Sequence, residues 1–206
     1  MWHSTREYCT RYSLWVGNHH NTISFLSETI IDMYRRIALI PDHESMLKVS
    51  RWSREITNEI QAEFTLDEQH IPHVTVGFVE IEEKNIEKLV TIVKDIASQY
   101  QPITVDSSTL KKGGDSYIGL YFKNNEDIVD MRDDLETHLN DIVLDFTSFT
   151  NPHITLTRLM DAHKVQHALQ IVKHRKLFRI KLGRIAICDT QEHGAISQIY
   201  ENIPLK

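Results

Sequence analysis

The sequence predicts an α+β fold built as a duplication, two similar lobes that share one cleft. Three observations carry the prediction. The phrase PHVTVGF at 72–78 returns as PHITLTR at 152–158. Each copy is rich in β-branched residues, as strands are, and each is followed by a helical pattern and then by two strand-like runs. No proline- or glycine-rich linker divides the chain. At 206 residues, one domain over 1–206 with two intertwined lobes is the expectation.

The elements follow in order. YSLWV (12–16) reads as a short buried strand. Residues 24–40 and 44–64 read as helices, and in the second of these Val49, Trp52, Ile56 and Ile60 share one face. Together they make a helical insertion over about 18–66, ahead of the first copy of the phrase. HVTVGFV (73–79) is a strand. Ile86, Leu89, Val90, Val93, Ile96, Ala97 and Tyr100 then fall at helical spacing. ITVDSSTL (103–110) and YIGLYF (117–122) are strands joined through Gly113-Gly114-Asp115. The next helix carries Ile128, Met131, Leu135 and Ile142. HITLTRL is the strand of the second copy, and Asp161 is placed to cap a short helix holding Val165, Ala168, Leu169 and Val172. LFRIKLGRIAICDT and AISQIYENI close the chain as a strand pair.

Composition narrows the function classes. Hydrophobic residues at 41% and charged residues at 25% are globular values. The start has no apolar core of signal-peptide length, and no run approaches a membrane span. Cys9 and Cys188 are too few for a disulfide framework. A soluble, cytoplasmic, reducing setting is expected, with a monomeric chain and no membrane partner. The net charge of −6 argues against indiscriminate nucleic-acid binding. From Arg158 onward, however, nine Lys/Arg face four Asp/Glu, concentrated in KHRKLFRIKLGR (173–184). That stretch reads as a solvated strand and helix edge, or alternatively as a phosphate-attracting wall.

His-x-Thr alone is a weak signal. With 12 His and 16 Thr in the chain, composition yields roughly one such triplet by chance. Four occur, but those beginning at His3 and His20 have polar middles and no strand around them. Those at His73 and His153 share a preceding proline, a β-branched middle and an apolar residue after the threonine. Two matches of that longer pattern arise by chance on the order of once in several thousand random sequences of this composition. Side chains alternate along a strand, so His73 and Thr75 project to one side, as do His153 and Thr155, while Val74 and Ile154 turn into a core. If the lobes set equivalent edges across a cleft, the two imidazoles face each other. With an ordinary pKa near 6.5, one ring takes a proton and the other gives one near neutral pH. The threonine hydroxyls can hydrogen-bond non-bridging phosphate oxygens.

This constellation resembles the two-histidine (2H) phosphoesterase superfamily. Within it, the likeness is greatest to cyclic phosphodiesterases that open ADP-ribose 1″,2″-cyclic phosphate and nucleoside 2′,3′-cyclic phosphates. It rests on YSLWV, PHVTV, PHITL and RIAICDT, in that order over most of the chain. The resemblance implies two lobes, each an antiparallel sheet with helices on its outer side, and a His-x-Thr strand from each lobe facing a central cleft. It implies His73 and His153 as the catalytic pair, Thr75 and Thr155 as phosphate-binding, no cofactor or metal, and a small nucleotide or RNA end as substrate. Two features depart from the compact cyclic phosphodiesterases. The stretch 17–72 is long. Arg158 stands five after His153, where an aromatic residue is expected, and an arginine there is similar to the RNA 2′,5′-ligase-like branch. A 2′,5′-oligonucleotide phosphodiesterase and a 3′-end RNA exonuclease therefore stand as alternatives. An RNA- or nucleotide-binding module is the non-enzymatic one, against which the completeness of both motifs argues.

Other residues carry less. Strict alternation turns Arg158 away from His153, and it reaches the cleft only through a bulge; there its forked guanidinium suits a second phosphate. Tyr117, Tyr121 and Trp15 could stack a base, although each also fits a buried core. His163 and His167, four apart on a helix, lack a third ligand and read as a solvated face, so no metal is expected. Cys188, in an apolar strand, reads as inert packing, and KKGGDS (111–116) as a hairpin turn.

Overall fold

The computed structural model describes residues 32–113, 116–149, 151–159, 161–189, 195, 196 and 198–206. YSLWV and Trp15 lie outside these residues. The elements run β1 (Asp32–Pro41), α1 (His43–Thr57), β2 (Val74–Glu82), α2 (Ile86–Ala97), β3 (Ile103–Gly113), β4 (Tyr117–Lys123), α3 (Glu126–Leu139), β5 (Asp145–Ser148), β6 (His153–Arg158), α4 (Ala162–Val172), β7 (Arg179–Cys188) and β8 (Ile199–Pro204). All strands pair antiparallel in one sheet, in the order β5-β2-β1-β7-β3-β4-β6, with β8 alongside β7. The sheet curls so that β2 and β6, far apart in that order, come into contact.

The duplication predicted from the repeated phrase is visible in this order. Exchange β1 with β4, β2 with β6 and β3 with β7, and the path β2-β1-β7-β3-β4-β6 reads the same. The helices obey the same exchange: α2 packs on α3, and α1 on α4. The repeating unit is thus strand, helix, His-x-Thr strand, helix, strand. β5 at the edge of β2 and β8 beside β7 are additions to it. The halves interlock, because β7 from the second half pairs with β1 from the first.

The region before the first phrase corrects the sequence reading. Residues 32–40, the second part of the helix expected over 24–40, form strand β1. Ile37 and Leu39 lie in the main core, whereas Ala38 and Ile40 join Ala186, Cys188 and Ile196 on the opposite face. A strand buried on both faces reads as an unbroken apolar run, and periodicity cannot separate it from a helix. The expected helical insertion over about 18–66 is, in its described part, a strand in mid-sheet and the single helix α1. That helix starts at Asp42, whose carboxylate accepts from the Ser45 amide at 2.8 Å. It ends at Thr57, short of the 64 expected. Ile60 and Phe64 are buried on an irregular return, held where the Leu66 amide donates to Ser53 Oγ at 2.8 Å.

The remaining elements follow the expected pattern with β5 added, except that α2 ends at Ala97, before Tyr100, and α3 at Leu139, before Ile142; residues 114 and 115 of the expected turn lie outside the described residues. α2 buries Leu89, Val93, Ile96 and Ala97, and α3 buries Ile128, Met131 and Leu135. Asp161 caps α4, accepting from the His163 amide at 2.7 Å. The main core joins these faces to Val74, Ile154, Leu156, Ile180 and Leu182 from the sheet. None of the described helices is long and apolar enough to cross a membrane.

Candidate active site between β2 and β6

Each half places its histidine at the start of an inner strand. His73 immediately precedes β2, and His153 is the first residue of β6. Val74 and Ile154, one further on, are fully buried in the core, so the histidines and the threonines two along point to the other side. His73, Thr75, His153 and Thr155 are all half-buried. The hydroxyls of Thr75 and Thr155 take no hydrogen bond from the protein among the described residues.

The two rings are held alike. His73 Nδ1 faces the Ile71 carbonyl at 2.8 Å, and His153 Nδ1 faces the Asn151 carbonyl at 2.9 Å. A carbonyl only accepts, so Nδ1 carries the hydrogen in both rings and Nε2 is left for the cleft.

Their surroundings differ. Arg36, on β1 and only 1% exposed, brings Nη1 to 2.6 Å from His73 Nε2. Its guanidinium also lies over the Phe78 ring, 5.0 Å from the centroid. Burial first, then the Arg36 charge, then the nearby His153 ring push the His73 pKa down to about 3. Burial lowers Arg36 itself to about 10, so it remains a cation at neutral pH. Around His153 the neighbours are rings: Tyr121 at 5.0 Å and Tyr117 at 5.4 Å lie nearly parallel to it, and Phe149 meets it edge-on at 6.4 Å. Burial lowers the His153 pKa, and the bond to the Asn151 carbonyl opposes that shift.

Gly119 makes the aromatic side possible. It pairs with Thr155 in the β4–β6 ladder, and a Cβ there would stand 2.7 Å from the Tyr121 ring and 3.3 Å from His153. Its counterpart in the first lobe is Ala38, paired with Thr75.

Matching irregularities fix what else faces the cleft. Register shifts lie between Ile37 and Ala38 in the first lobe and between Ile118 and Gly119 in the second. Each leaves one extra residue on the histidine strand, Val76 or Leu156, and so reverses the alternation beyond it. Thr157, expected to share the His153 face, turns inward instead: it is fully buried and donates to the Phe64 carbonyl at 2.7 Å. Arg158 comes to the side strict alternation denied it. It pairs across from Tyr117, whose ring stacks on His153, and its Nε lies 3.8 Å from a Glu63 carboxylate oxygen.

The structure therefore brings His73, His153, Thr75, Thr155, Tyr117, Tyr121 and Arg158 to one side of the sheet where β2 and β6 meet. The other sequence candidates lie elsewhere. His163 and His167 are exposed on α4, and among the described residues no three His, Cys, Asp or Glu side chains are grouped to hold a metal ion. Burial pushes the Cys188 thiol up to about 12, consistent with inert packing. In the basic stretch, Arg175 pairs with Glu55 and Arg179 with Asp106, as on a solvated edge. A cavity of about 1000 Å³ opens between α1, the loop before β2 and the end of β8, and Ile71 and Pro72 are part of its wall. Sequence reasoning missed Arg36, Phe78 and Phe149. The one available signal for Arg36 was a charged residue directly against the apolar run IALI.

Comparison with known proteins adds the family. The model of the "2'-5' RNA ligase superfamily" matches residues 46–194, which include both histidine strands. Among solved structures, TT0787 of Thermus thermophilus aligns with a TM-score of 0.60 at 12% identity, over 84% of this chain and 98% of that one. E. coli LigT in its apo form gives 0.55 at 11% identity, over 85% of this chain and 99% of LigT. LigT complexed with 3'-AMP gives 0.55 at 9% identity over the same shares. At such identities the likeness is one of fold. No curated protein matches the sequence. With most of the chain under the family model, and two His-x-Thr strands meeting where a bilobal sheet closes on itself, the chain belongs to the 2'-5' RNA ligase superfamily of two-histidine phosphoesterases.

Proposed function

We propose that the protein is a metal-independent phosphodiesterase that opens a cyclic phosphate on a nucleotide or on ADP-ribose. The observation that carries this reading is the matched pair of rings: each holds its Nδ1 hydrogen against a backbone carbonyl two residues back, which keeps Nε2 as the nitrogen for proton transfer. In hydrolysis, water attacks phosphorus and gives a proton to one ring. The bond from phosphorus to the ester oxygen breaks, and the other ring supplies the proton that oxygen needs. On this reading Thr75 and Thr155 donate their hydroxyls to the non-bridging oxygens as charge builds there. Strain in a five-membered cyclic phosphate favours opening, and two rings suffice for both proton transfers.

A second reading has its own observation. Arg158 on the His153 side suits a phosphate one nucleotide beyond the scissile one. This favours a substrate with a second phosphate, as a 2′,5′-linked oligonucleotide or an RNA 3′ end has. The test is a panel: ADP-ribose 1″,2″-cyclic phosphate, four nucleoside 2′,3′-cyclic phosphates, 2′,5′-oligoadenylate and a short RNA, with products identified by phosphorus NMR. Turnover of at least one member is expected to persist in EDTA. Failure on every member would leave a nucleotide-binding module, and loss in EDTA reversed by a divalent ion would overturn metal independence.

A further inference from the structure

We infer that Arg36 is a positioning residue that fixes His73 as the neutral, proton-accepting ring of the pair and leaves proton donation to His153. The inference rests on the phosphodiesterase reading above and assigns its two roles. It begins with hydrogen bookkeeping on one ring. The Ile71 carbonyl at 2.8 Å can only accept, so His73 Nδ1 bears a hydrogen. The guanidinium nitrogen at 2.6 Å can only donate, so Nε2 bears a lone pair. An imidazolium would set an N–H against an N–H across that 2.6 Å contact.

The second lobe shows the alternative. The position equivalent to Arg36 across the pseudo-twofold is Tyr117, four residues before the partner of His153 in its ladder, and it offers a ring face at 5.4 Å in place of a charge. His153 can therefore hold a second proton without meeting a cation from that position. Burial and the Phe78 ring beneath it keep the Arg36 guanidinium beside His73. It also lies outside the stretch 46–194 matched by the family model. Around His153 stand Tyr117 and Tyr121 on β4, with Lys111 on β3 over the Tyr121 ring at 4.8 Å and Arg158 on β6 across from Tyr117. His73 is faced by Arg36 from β1 and His153 from β6. Arg36 is faced by Cys188 on β7, Asp189 beyond it, and Tyr34 on its own strand.

The same contact explains how the lone pair becomes available. A phosphate monoanion is a stronger acceptor for a guanidinium than a neutral imidazole. When it enters the cleft, Nη1 turns to a phosphate oxygen, and His73 Nε2 is released to the attacking water. The anion also offsets the positive charge that disfavours the imidazolium. The water proton passes to His73 Nε2, and the leaving oxygen receives the proton held on His153 Nε2.

Long-range proton–nitrogen NMR on the imidazoles of the full chain, from pH 8 to pH 4, tests this without turnover. In the wild type His73 should show a neutral Nδ1–H ring throughout, with His153 titrating at higher pH. In Arg36→Met, His73 should titrate at least about one unit higher, a tenfold gain in proton affinity, and Arg36→Lys should restore part of the shift. Adding inorganic phosphate to the wild type should raise the His73 titration. On the best panel substrate, the acid limb of the kcat/KM profile should move up in Arg36→Met by a similar amount. A wild-type His73 that is an Nε2–H tautomer, or is protonated at pH 6, overturns the inference even if no variant folds. An Arg36→Met spectrum identical to wild type also overturns it. Expected spectra without turnover on any panel member would sink the phosphodiesterase reading instead.

Discussion

The two lobes share a frame and differ in what they press against their histidines. In both, the ring hangs from a backbone carbonyl two residues back, a threonine follows on the same side, and an extra residue on the histidine strand turns the next residues over. In both, an arginine and an aromatic ring then face each other across the ladder. The order is exchanged: Arg36 on β1 opposite Phe78 on β2, but Tyr117 on β4 opposite Arg158 on β6. One histidine thus meets a buried guanidinium and the other a stack of rings. Duplication supplies two like groups, and a swap at one paired position makes them unlike. Acid–base catalysis by two residues of one type depends on that inequality.

Removing either histidine is the most severe way to break the comparison. His73→Ala and His153→Ala should each lower kcat by at least ~100-fold, the lower end of a general acid or base contribution. Because the rings act in one step, the double variant should be little worse than either single one. Steady-state rates on the best panel substrate check this, and a single variant with near-normal turnover removes that ring from the mechanism.

Gly119 and Ala38 hold equivalent places and should not tolerate change alike. Gly119→Ala puts a methyl group 2.7 Å from Tyr121 and 3.3 Å from His153. The displacement should cost roughly 10- to 100-fold in kcat/KM, as small misplacements of a catalytic group do. Ala38→Gly should leave the rate within about twofold, since no such misplacement follows. Equal losses in both would mean that the glycine does not serve the ring stack.

Arg158 sharpens the comparison at substrate level. Arg158→Ala should raise KM about tenfold, near the value of one charge-assisted contact, for substrates with a second phosphate. Nucleoside 2′,3′-cyclic phosphates should be nearly unaffected. Added salt should narrow the wild-type preference for the larger substrates. An equal loss on all substrates would place the arginine at the scissile phosphate or in the fold.

The smallest effect is on stability. The folded His73 pKa, about 3, lies below the unfolded value near 6.5. Between those limits the unfolded chain takes up a proton that the folded chain refuses. Stability therefore falls as pH drops through that window and loses nothing from this group above it. Urea midpoints at pH 7 and pH 4.5 should show a shallower acid loss in His73→Gln than in the wild type. A loss of equal steepness in both proteins would mean that the ring accepts its proton when folded.

How much of this was legible in the sequence follows from where each residue sits. The histidines and threonines could be read because their phrase occurs twice and each is a strand with one face inward. The duplication read there proved to be the symmetry of the six-strand path from β2 to β6. β1 could not be read, because Ile37 to Ile40 are covered on both sides and period 2 vanishes. Arg36 was lost with it, since a residue with no assigned face cannot be aimed at His73. Arg158 was assigned to the wrong side because alternation was counted through Leu156, and a bulge leaves no mark in the sequence. Tyr117 and Tyr121 were visible as aromatic, but their stack on His153 depends on a glycine between them whose purpose is clear only in the ladder.

The path of the sheet has a consequence for how the chain is made. β7, at Arg179–Cys188, lies between β1 and β3, so the middle of the sheet is made after every other described strand except β8. Before it arrives, the described strands already made pair in two ladders, β5-β2-β1 and β3-β4-β6, each carrying one histidine. Each piece exposes an open edge awaiting the same strand, and pairing across so many residues is slow. The nascent protein must therefore hold these two ladders without their shared central strand until β7 has been synthesised.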